Sequence, residues 1–482
     1  MRLSEVMKHL PHRLVGEDIH ISGIAYDSRK VEPGFLFAAV SGLKHDGHDF
    51  VSEAAAQGAA AVLVERVMDT AVPQIVVEDT RAALGHVAAA FYGHPAKQLK
   101  VIGVTGTNGK TTTTYMVRSI LEQAGKRVGL IGTIETVFNG QSQVSDRTTP
   151  ESLDLQRILA EMATTGIEYV VMEVSSHALK LHRTNGMEFR VGIFTNLTQD
   201  HLDFHTSFED YFESKAKLFD QVTGFAVLNY DDPKGQDLAA RMSIPLISYG
   251  VDQAAEVHAS NVEVDSKRTS YTLNTPWGSI PLEINLTGKF NVYNSLSAAA
   301  ACLGAGFSLD EVKRGLEALQ GVPGRFEVVD EGQPYAVIVD YAHTPDGLEN
   351  ILRTARSMTE GRVVVVFGAG GDRDRGKRPL MGKIAAQLAD FVVITSDNPR
   401  SEDPKDICED ISAGAKQAAC GAECVVEVDR RAAIRLALAE AEPGDIVLIA
   451  GKGHETYQEI RGVRTYFDDR EEARLALKEL YS

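Results

Sequence analysis

The sequence predicts an α/β protein built from mostly parallel sheets that helices cover on both faces. Short apolar, β-branched runs typical of strands alternate with segments of helical apolar spacing along most of the chain. A glycine-rich turn joins one such strand to a helix within residues 101–114, and polar clusters follow several later strands. This alternation is typical of parallel sheets, whose ligands lie at the carboxyl ends of the strands.

Length and composition set the scale of the fold. A chain of 482 residues holds roughly three domains of about 150 residues each. Its hydrophobic content of 44% and charged content of 24% are ordinary for a globular protein. The net charge of −18 argues against a nucleic-acid partner, which would need a basic face. No apolar stretch approaches the roughly 18 residues of a membrane span and no signal-peptide pattern is present, so we expect no membrane partner.

Cysteine usage indicates a reducing compartment. The chain has four cysteines, Cys302, Cys408, Cys420 and Cys424, which favours reduced thiols and a cytoplasmic location. Cys420 and Cys424 could be metal ligands, but they lack a second pair or nearby histidines. We therefore expect them to be small, buried apolar residues.

Residues 1–98 are predicted to form a small α/β domain. Its strands are expected at 35–40 and 60–64, and its helices at 49–58 and 80–92. The polar segments 26–29 and 41–47 lie beside strands, where loops could hold a ligand. Their composition favours solvated turns when they are considered alone.

The strand, turn and helix at 101–114 predict a polyphosphate site. Glycines 103, 106 and 109 would let backbone N–H groups approach phosphate oxygens at the amino end of the helix. Lys110 could reach the transferred phosphoryl group, and the Thr111 hydroxyl could hold Mg²⁺. The first glycine falls one residue early for the strict phosphate-loop pattern. The preceding strand and following helix nevertheless favour this site over a structural turn.

Polar side chains at the ends of two further strands predict a metal beside this loop. One strand ends in Glu173, and the strand at 191–196 leads into His201. Oxygen and nitrogen ligands beside a phosphate loop suit Mg²⁺, which takes one or two protein groups plus phosphates. For either residue alone, the role of a hydrogen-bonded structural group is equally open.

An amphipathic helix predicted at 208–220 carries Lys215 and Lys217. Lysine is almost never buried unless it is paired, so the residue type alone predicts that both lie on the surface. Residues 256–287 are expected to form a β-rich insertion. Asn291 and Asn294 then lie near the start of an alanine-rich helix, where capping is the ordinary role for one of them.

A last unit is predicted to begin near residue 323 and to form a separate Rossmann-like sheet. Its strands are expected at 336–340, 363–367, 391–395 and 446–450. Polar clusters follow these strands, at 340–345, 368–375, 397–400 and 451–455. Ligands of such sheets lie where the strands end.

Together these residues resemble the ATP-dependent Mur ligases of peptidoglycan synthesis. The resemblance covers the whole chain, and its motifs lie at 105–111, 173–177, 200–203, 340–343, 377–381 and 397–400. It implies three domains. Residues 1–98 would bind the uridine nucleotide, 99–322 would bind ATP, and 323–482 would bring in the amino acid and close over the site.

The resemblance also implies ligand contacts. The uridine nucleotide and its muramoyl dipeptide would contact Ser28, Leu43, Lys44, His45, Thr148, Thr149, Ser175, Leu181 and Arg183. ATP would contact Gly106, Thr107, Asn108, Gly109, Lys110, Thr111, Thr112, Asn291, Arg325, Asp340 and His343. Meso-diaminopimelate would contact Arg373, Asp397, Asn398, Pro399, Arg400, Gly451 and Glu455.

In the family, the lysine that matches Lys215 is carbamylated by CO₂. The carbamate would join Thr111, Glu173 and His201 around Mg²⁺, and Lys110, His201 and Lys215 would be catalytic. Two residues depart from the family pattern. Leu181 stands where some relatives have a glutamine, and Arg147 replaces a frequent asparagine. Both changes concern contacts to the dipeptide.

The implied reaction is ATP-dependent amide formation between UDP-N-acetylmuramoyl-L-alanyl-D-glutamate and meso-diaminopimelate through an acyl phosphate. The expected partners are these small molecules, and the enzyme is expected to be a cytoplasmic monomer. An L-lysine-adding Mur ligase and a ligase like folylpolyglutamate synthetase are the alternatives. The latter resemblance stops short of the N-terminal domain and of 397–400. A regulatory nucleotide switch is disfavoured because the nearest guanine-reading segment, 196–200, lacks its lysine.

Overall fold

The computed structural model describes residues 1–42, 45–145, 147–265, 268–418 and 421–481. Within these ranges the strands form three helix-covered sheets, which follow one another along the chain, and a separate hairpin. The α/β class with mostly parallel sheets is therefore confirmed. The boundaries expected at 98/99 and 322/323 stay predictions.

The N-terminal sheet is parallel except for its first strand. Its strands are β1 Arg13–Val15, β2 Gly23–Ala25, β3 Phe35–Ala38, β4 Ala61–Val64 and β5 Gln74–Val76. The helices of this unit are α1 Leu3–Val6, α2 Val51–Ala56, α3 Thr80–Phe91 and α4 Pro95–Gln98. The strand order is β1-β5-β4-β3-β2. The two strands and two helices predicted here are confirmed, and β1, β2, β5, α1 and α4 were not predicted.

The central sheet is the largest. Its strands are β6 Lys100–Thr105, β7 Val128–Ile131, β8 Glu135–Phe138, β9 Gln141–Val144, β10 Tyr169–Glu173, β11 Phe189–Phe194, β12 Val222–Asn229, β13 Leu246–Gly250, β14 Val257–Val264, β15 Thr269–Thr275 and β16 Gly278–Ile284. Their order is β16-β15-β14-β13-β12-β11-β6-β10-β7-β8-β9. Strands β14 to β16 are the predicted β-rich insertion, and their antiparallel pairing extends one edge.

Helices cover both faces of this sheet. They are α5 Lys110–Gln123, α6 Ser152–Thr164, α7 Ser176–Lys180, α8 Phe208–Ala216, α9 Pro233–Ala239, α10 Lys289–Gly304 and α11 Leu309–Ala318. Helices α5, α10 and α11 close one apolar core, and α6 to α9 close the other. Parallel pairing aligns β6 with β10 and β11, so Val104 lies opposite Glu173 and Thr105 opposite Phe194. These three strands therefore end side by side.

The C-terminal sheet is parallel apart from β17. Its strands are β17 Glu327–Val329, β18 Ala336–Asp340, β19 Val363–Phe367, β20 Phe391–Ile394, β21 Glu423–Val426 and β22 Ile446–Ala450, in the order β17-β18-β22-β19-β20-β21. Strands β23 Tyr457–Ile460 and β24 Val463–Tyr466 form the hairpin. The helices are α12 Pro345–Met358, α13 Lys377–Leu388, α14 Pro404–Lys416, α15 Arg430–Glu440 and α16 Asp469–Tyr481. All four strands predicted here are confirmed.

Two local expectations were wrong. Cys424 is exposed, because β21 is the edge strand of its sheet. Cys420 lies outside the described residues, whereas Cys302 and Cys408 are buried. Neither Asn291 nor Asn294 caps α10, because the N-cap position is Gly288 and no side chain caps it. Within the described ranges, no helix is long and apolar enough to cross a membrane.

Candidate active site

The turn between β6 and α5 requires glycine at two positions. Gly106 and Gly109 have φ angles of 143° and 85°, a region that residues with a side chain rarely adopt. A Cβ atom on Gly106 would lie 1.9 Å from the Thr195 hydroxyl oxygen, and one on Gly109 would lie 2.3 Å from Asn294 Oδ1. Gly103, in contrast, lies inside β6, so its predicted part in the turn was wrong.

Lys110 begins α5 and bends back over this turn. Its Nζ donates to the carbonyl oxygens of Gly106 and Thr107 at 2.9 and 2.8 Å. Burial lowers the pKa of Lys110, and the nearby Glu173 carboxylate opposes that shift. The amino end of α5 and this ammonium together provide the positive charge that a polyphosphate requires.

Hard oxygen atoms lie beside the turn, at the end of β10. Glu173 is 1% exposed, and its Oε1 accepts hydrogen bonds from Thr111 Oγ1 at 3.0 Å and from Thr133 N at 2.8 Å. A carboxylate and a hydroxyl at this separation fit Mg²⁺ that is bound chiefly by phosphate oxygens. Among the described residues, no group of three or more His, Cys, Asp or Glu side chains is arranged to hold a metal ion.

His201 lies where β11 leads into the next loop. Its Nε2 is 3.2 Å from Asp200 Oδ2, and burial lowers the pKa of His201 to about 2. The imidazole is therefore neutral, and its ring lies edge-on to His177 with centroids 4.7 Å apart. A neutral imidazole can accept a hydrogen bond or ligate a metal.

Lys215 is buried beneath the turn, contrary to the surface position that its residue type predicted. It is 2% exposed, because the face of α8 that carries it packs against the β6–α5 turn, where Lys215 Nζ donates to Gly106 O at 2.7 Å. Burial, and then the charge of Lys110, lowers the pKa of Lys215 well below its ordinary value. Lys217 is exposed, as predicted.

A cavity of about 250 Å³ opens over the turn, between the central and C-terminal sheets. Its walls include most of the predicted ATP and metal residues: Thr107, Asn108, Gly109, Lys110, Thr111, Thr112, Glu173, His201, Arg325, Asp340 and His343. Asn291 is not in the wall. Its Nδ2 donates to Thr287 O, and Asn294, one turn further along α10, lines the cavity instead.

Residues on the C-terminal side of this cavity form hydrogen bonds with the β6–α5 turn and the start of α5. Arg325 Nη2 donates to Thr111 Oγ1 at 2.9 Å, and Asn108 Nδ2 donates to Asp346 Oδ2 at 2.6 Å. Asp340 accepts from the backbone N–H of Phe326 at 2.6 Å, and burial raises its pKa. Burial lowers the pKa of His343 to about 4.

The residues predicted to hold the dipeptide lie around the end of β10. Thr149 Oγ1 donates to Glu173 O and accepts from Ser175 N, at 3.0 and 3.1 Å. Arg183 Nη1 donates to Thr149 O at 3.2 Å, and its Nη2 pairs with Glu151 at 3.0 Å. Thr148 and Ser175 line the cavity.

Other predicted contacts lie elsewhere. Leu181 follows the end of α7 and lies outside the cavity wall, and the unusual Arg147 pairs with Glu151 at 2.7 Å. Ser28 is buried and His45 is exposed, both in the N-terminal unit. Leu43 and Lys44 lie outside the described residues.

A second cavity, of about 200 Å³, adjoins the first. It gathers six residues from the predicted amino-acid set: Arg373, Asp397, Asn398, Arg400, Gly451 and Glu455. Pro399 does not line it. Asp200, His201, Tyr341 and His343 belong to the walls of both cavities.

Comparison with known proteins identifies this arrangement. Three family models match the chain, namely the Mur ligase family catalytic domain at residues 20–92, the Mur ligase middle domain at 104–302 and the Mur ligase glutamate ligase domain at 324–453. The UDP-N-acetylmuramoyl-L-alanyl-D-glutamate–2,6-diaminopimelate ligase of Geobacillus kaustophilus is 48% identical over 489 residues, which cover 99% of this chain and 100% of the relative. The chain belongs to the Mur ligase family.

Solved structures support the same assignment for this Mur ligase. A structure of UDP-N-acetylmuramoyl-L-alanyl-D-glutamate–2,6-diaminopimelate ligase matches with a TM-score of 0.71 and 34% identity, and the match covers 100% of this chain and 99% of that one. Folylpolyglutamate synthase of Mycobacterium tuberculosis, complexed with ADP and AMPPCP, matches with a TM-score of 0.64 over 77% of this chain and 92% of its own. At 19% identity, that likeness concerns the fold alone.

Sequence reasoning did not assign several residues of this Mur ligase's site, among them Asp200 and Tyr341 in the shared wall. Asn294 and Asp346 line the first cavity, and Lys377 lines the second. Lys377 belongs to the motif at 377–381, so the motif pointed to it. Asp346 gave no local signal, because its hydrogen bond with Asn108 joins segments that lie far apart in the chain.

Proposed function

We propose that this Mur ligase joins meso-diaminopimelate to the D-glutamate of UDP-N-acetylmuramoyl-L-alanyl-D-glutamate at the expense of ATP. Relatives that are named for this ligation are 48% identical over nearly the whole chain. The observation that carries the chemistry is the wall that the two cavities share, formed by Asp200, His201, Tyr341 and His343. A carboxylate activated in the first cavity is therefore adjacent to an amine held in the second.

The first step activates the carboxylate. A γ-carboxylate oxygen of D-glutamate attacks the γ-phosphorus of ATP, an O–P bond forms, the bond to the bridging oxygen breaks, and ADP leaves. Lys110 and the backbone N–H groups at the start of α5 stabilise the charge on the transferring phosphoryl group. Arg183, beside Thr149, offers positive charge where the dipeptide carboxylate approaches.

The second step forms the amide. The neutral amine attacks the acyl carbon, the C–N bond forms, the bond to phosphate breaks, and the amine loses a proton. Partial burial lowers the pKa values of His201 and His343, so they line the shared wall without adding positive charge. Closure of the C-terminal domain over the loop keeps out water that would hydrolyse the acyl phosphate.

Mg²⁺, when bound, neutralises phosphate charge, and Thr111 and Glu173 are the protein groups that would hold it together with His201. Lys215 would supply a further oxygen ligand as a carbamate. Its neutral amine would attack the carbon of CO₂, so that an N–C bond forms while one C=O π bond breaks and its electron pair moves to oxygen. The nitrogen then loses a proton, which leaves an anionic carbamate. The low pKa that burial gives to this lysine supports the reaction, because only the neutral amine is nucleophilic.

The proposed partners are small molecules only: ATP, the uridine nucleotide and the amino acid. We propose a cytoplasmic location, where these soluble substrates are available, and a monomeric enzyme. Ser28, His45 and the neighbouring residues of the N-terminal unit would bind the uridine end, at a distance from the reacting atoms.

The test is phosphate release from ATP with each substrate omitted in turn. We expect turnover only when both the uridine-linked dipeptide and a diamino acid are present, because the acyl phosphate forms on the bound γ-carboxylate. Equal phosphate release without either one would contradict the ligase assignment. Turnover with a folate substrate in their place would favour the folylpolyglutamate alternative.

A further inference from the structure

A buried cation lies behind the second cavity, outside the set of predicted ligand contacts. Lys452 is 0% exposed and is not among the described residues that line the cavity. Its Nζ donates to Asn398 Oδ1 at 3.1 Å and to Glu455 Oε2 at 3.3 Å. A buried ammonium is costly unless it is paired and hydrogen-bonded, so these two acceptors hold it in place.

The same contacts determine how Asn398 is oriented. Its Oδ1 accepts from Lys452 and also from the backbone N–H of Glu459 at 2.9 Å, while its Nδ2 donates to Glu455 Oε2 at 2.8 Å. A flipped amide would place its NH₂ group against two donors, so only one orientation satisfies the network. Lys452 is therefore one of the groups that fix the orientation of a residue that lines the cavity.

Glu455 is held by the same network. Among the described residues, both hydrogen bonds that its carboxylate accepts, from Asn398 and Lys452, use Oε2. Glu455 also lines the cavity, so its other carboxylate oxygen, Oε1, remains for a ligand. A carboxylate in such a cavity suits a ligand ammonium.

Lys452 supplies positive charge that opposes the effects that raise the pKa of Glu455. Burial, and then the charge of Asp397, raises the pKa of Glu455, and Lys452 opposes both. Burial acts on Asp397 in the same direction, but Lys452 and then Arg430 outweigh it and lower the pKa of Asp397. The charge of Glu455 also acts on Arg430, Tyr341 and Tyr457.

We propose that Lys452 is a positioning residue of the amino-acid site, which holds Asn398 and Glu455 in the arrangement that receives the distal ammonium of the diamino acid. The identity of this ligand rests on the proposed function. Lys452 is not among the described residues that line the two cavities. Its removal should therefore affect one substrate and leave the other two nearly unchanged.

The first experiment compares steady-state kinetics of the full-length wild type, Lys452→Met and Lys478→Met. Lys478 is an exposed lysine on α16, with its side chain 64% exposed, and serves as the matched control. In Lys452→Met we expect the KM for meso-diaminopimelate to rise about tenfold or more, as loss of buried charge-assisted hydrogen bonds predicts. The KM values for ATP and the uridine-linked dipeptide should change by less than about twofold.

The second readout is the pH dependence of kcat/KM for meso-diaminopimelate. Without the ammonium of Lys452, the pKa of Glu455 rises further, so its carboxylate becomes protonated at a higher pH. The acid limb of the profile should therefore move to higher pH in Lys452→Met. It should stay at the wild-type position in Lys452→Arg, which keeps the charge, and in Lys478→Met.

Three outcomes would overturn the proposal. One is a parallel rise in all three KM values in a variant whose melting temperature is unchanged, and another is an acid limb that does not move. If Lys452→Met fails to fold, Lys452→Arg decides, because an acid limb shifted to higher pH despite the retained charge would contradict a balancing role. A wild-type enzyme that never uses diaminopimelate would instead refute the proposed function, which distinguishes the two failures.

Discussion

Replacing Arg400 by alanine should weaken the use of meso-diaminopimelate while leaving the poor use of L-lysine nearly unchanged. Arg400 lines the second cavity, and its Nη1 donates to Gly371 O at 2.7 Å. Its backbone has a φ of 51° and is hydrogen-bonded on both sides to the β23–β24 hairpin, to Glu459 O at 3.0 Å and from Arg461 N at 2.6 Å. The backbone of Arg400 is thus held in place, and the remaining N–H groups of its guanidinium can bind the distal carboxylate that lysine lacks.

The magnitude follows from this geometry. A hydrogen-bonded contact between a guanidinium and a carboxylate contributes about 1.5–3 kcal/mol. Arg400 is only half-buried and one of its N–H groups is already used, so the lower part of that range applies, about 1.5–2 kcal/mol. That free energy corresponds to a loss of about tenfold to thirtyfold in kcat/KM for meso-diaminopimelate.

The assay is phosphate release measured against each amino acid for the wild type, Arg400→Ala and Arg375→Ala. Arg375 is an exposed arginine of the neighbouring loop that pairs with Glu402 at 2.9 Å, so its removal controls for lost positive charge. Two results would refute the reasoning. These are a wild-type enzyme that ligates L-lysine as efficiently as meso-diaminopimelate, and an Arg400→Ala variant that loses both activities equally.

Three further predictions concern the metal lysine and stability. Lys215→Ala should lose most activity and regain part of it with added short carboxylates, whereas Lys217→Ala should behave as wild type. Full activity of Lys215→Ala without any added carboxylate would refute the carbamate. Arg430→Ala should lower the free energy of unfolding by about 3–5 kcal/mol, because Arg430 and Asp469 are paired at 2.7 Å with both side chains fully buried. Arg435→Ala, which breaks an exposed pair on the same two helices, should cost less than about 1 kcal/mol, and equal losses in denaturant titrations would contradict this contrast. Burial holds the pKa of His177 and His343 at about 4, below the ordinary value of about 6.5. Between these two pH values the unfolded chain binds more protons than the folded protein, so the free energy of unfolding should decrease as the pH falls. A free energy of unfolding that stays constant from pH 7 to pH 4.5 would count against buried neutral imidazoles.

Local patterns were enough to predict the phosphate turn and the long strands. The β6–α5 junction combines a β-branched run, glycines and a helical repeat within residues 100–123. Strands β19 and β22 are continuous apolar runs, and β18 is one up to its last residue, Asp340. Strands β1, β2 and β5 have three residues each, which is too short for a period to be recognised. These were missed for that reason.

The parts of the site that could not be predicted from the sequence depend on tertiary packing. Lys215 is buried only because one face of α8 packs against the β6–α5 turn, and no local pattern distinguishes it from the exposed Lys217. Asn291 and Asn294 are one helical turn apart, and the rotation of α10 about its axis decides that Asn294 lines the cavity. Asp346 reaches the loop because the C-terminal domain lies against it, which is a long-range contact.

The most direct test of the proposed mechanism follows oxygen atoms. The uridine-linked dipeptide is prepared with ¹⁸O in the D-glutamate γ-carboxylate, and the phosphate released in the presence of ATP and meso-diaminopimelate is analysed by mass spectrometry. An acyl phosphate formed by attack of that carboxylate on the γ-phosphorus transfers one labelled oxygen to each phosphate. Phosphate without label, released at the same rate as the amide is formed, would contradict the mechanism.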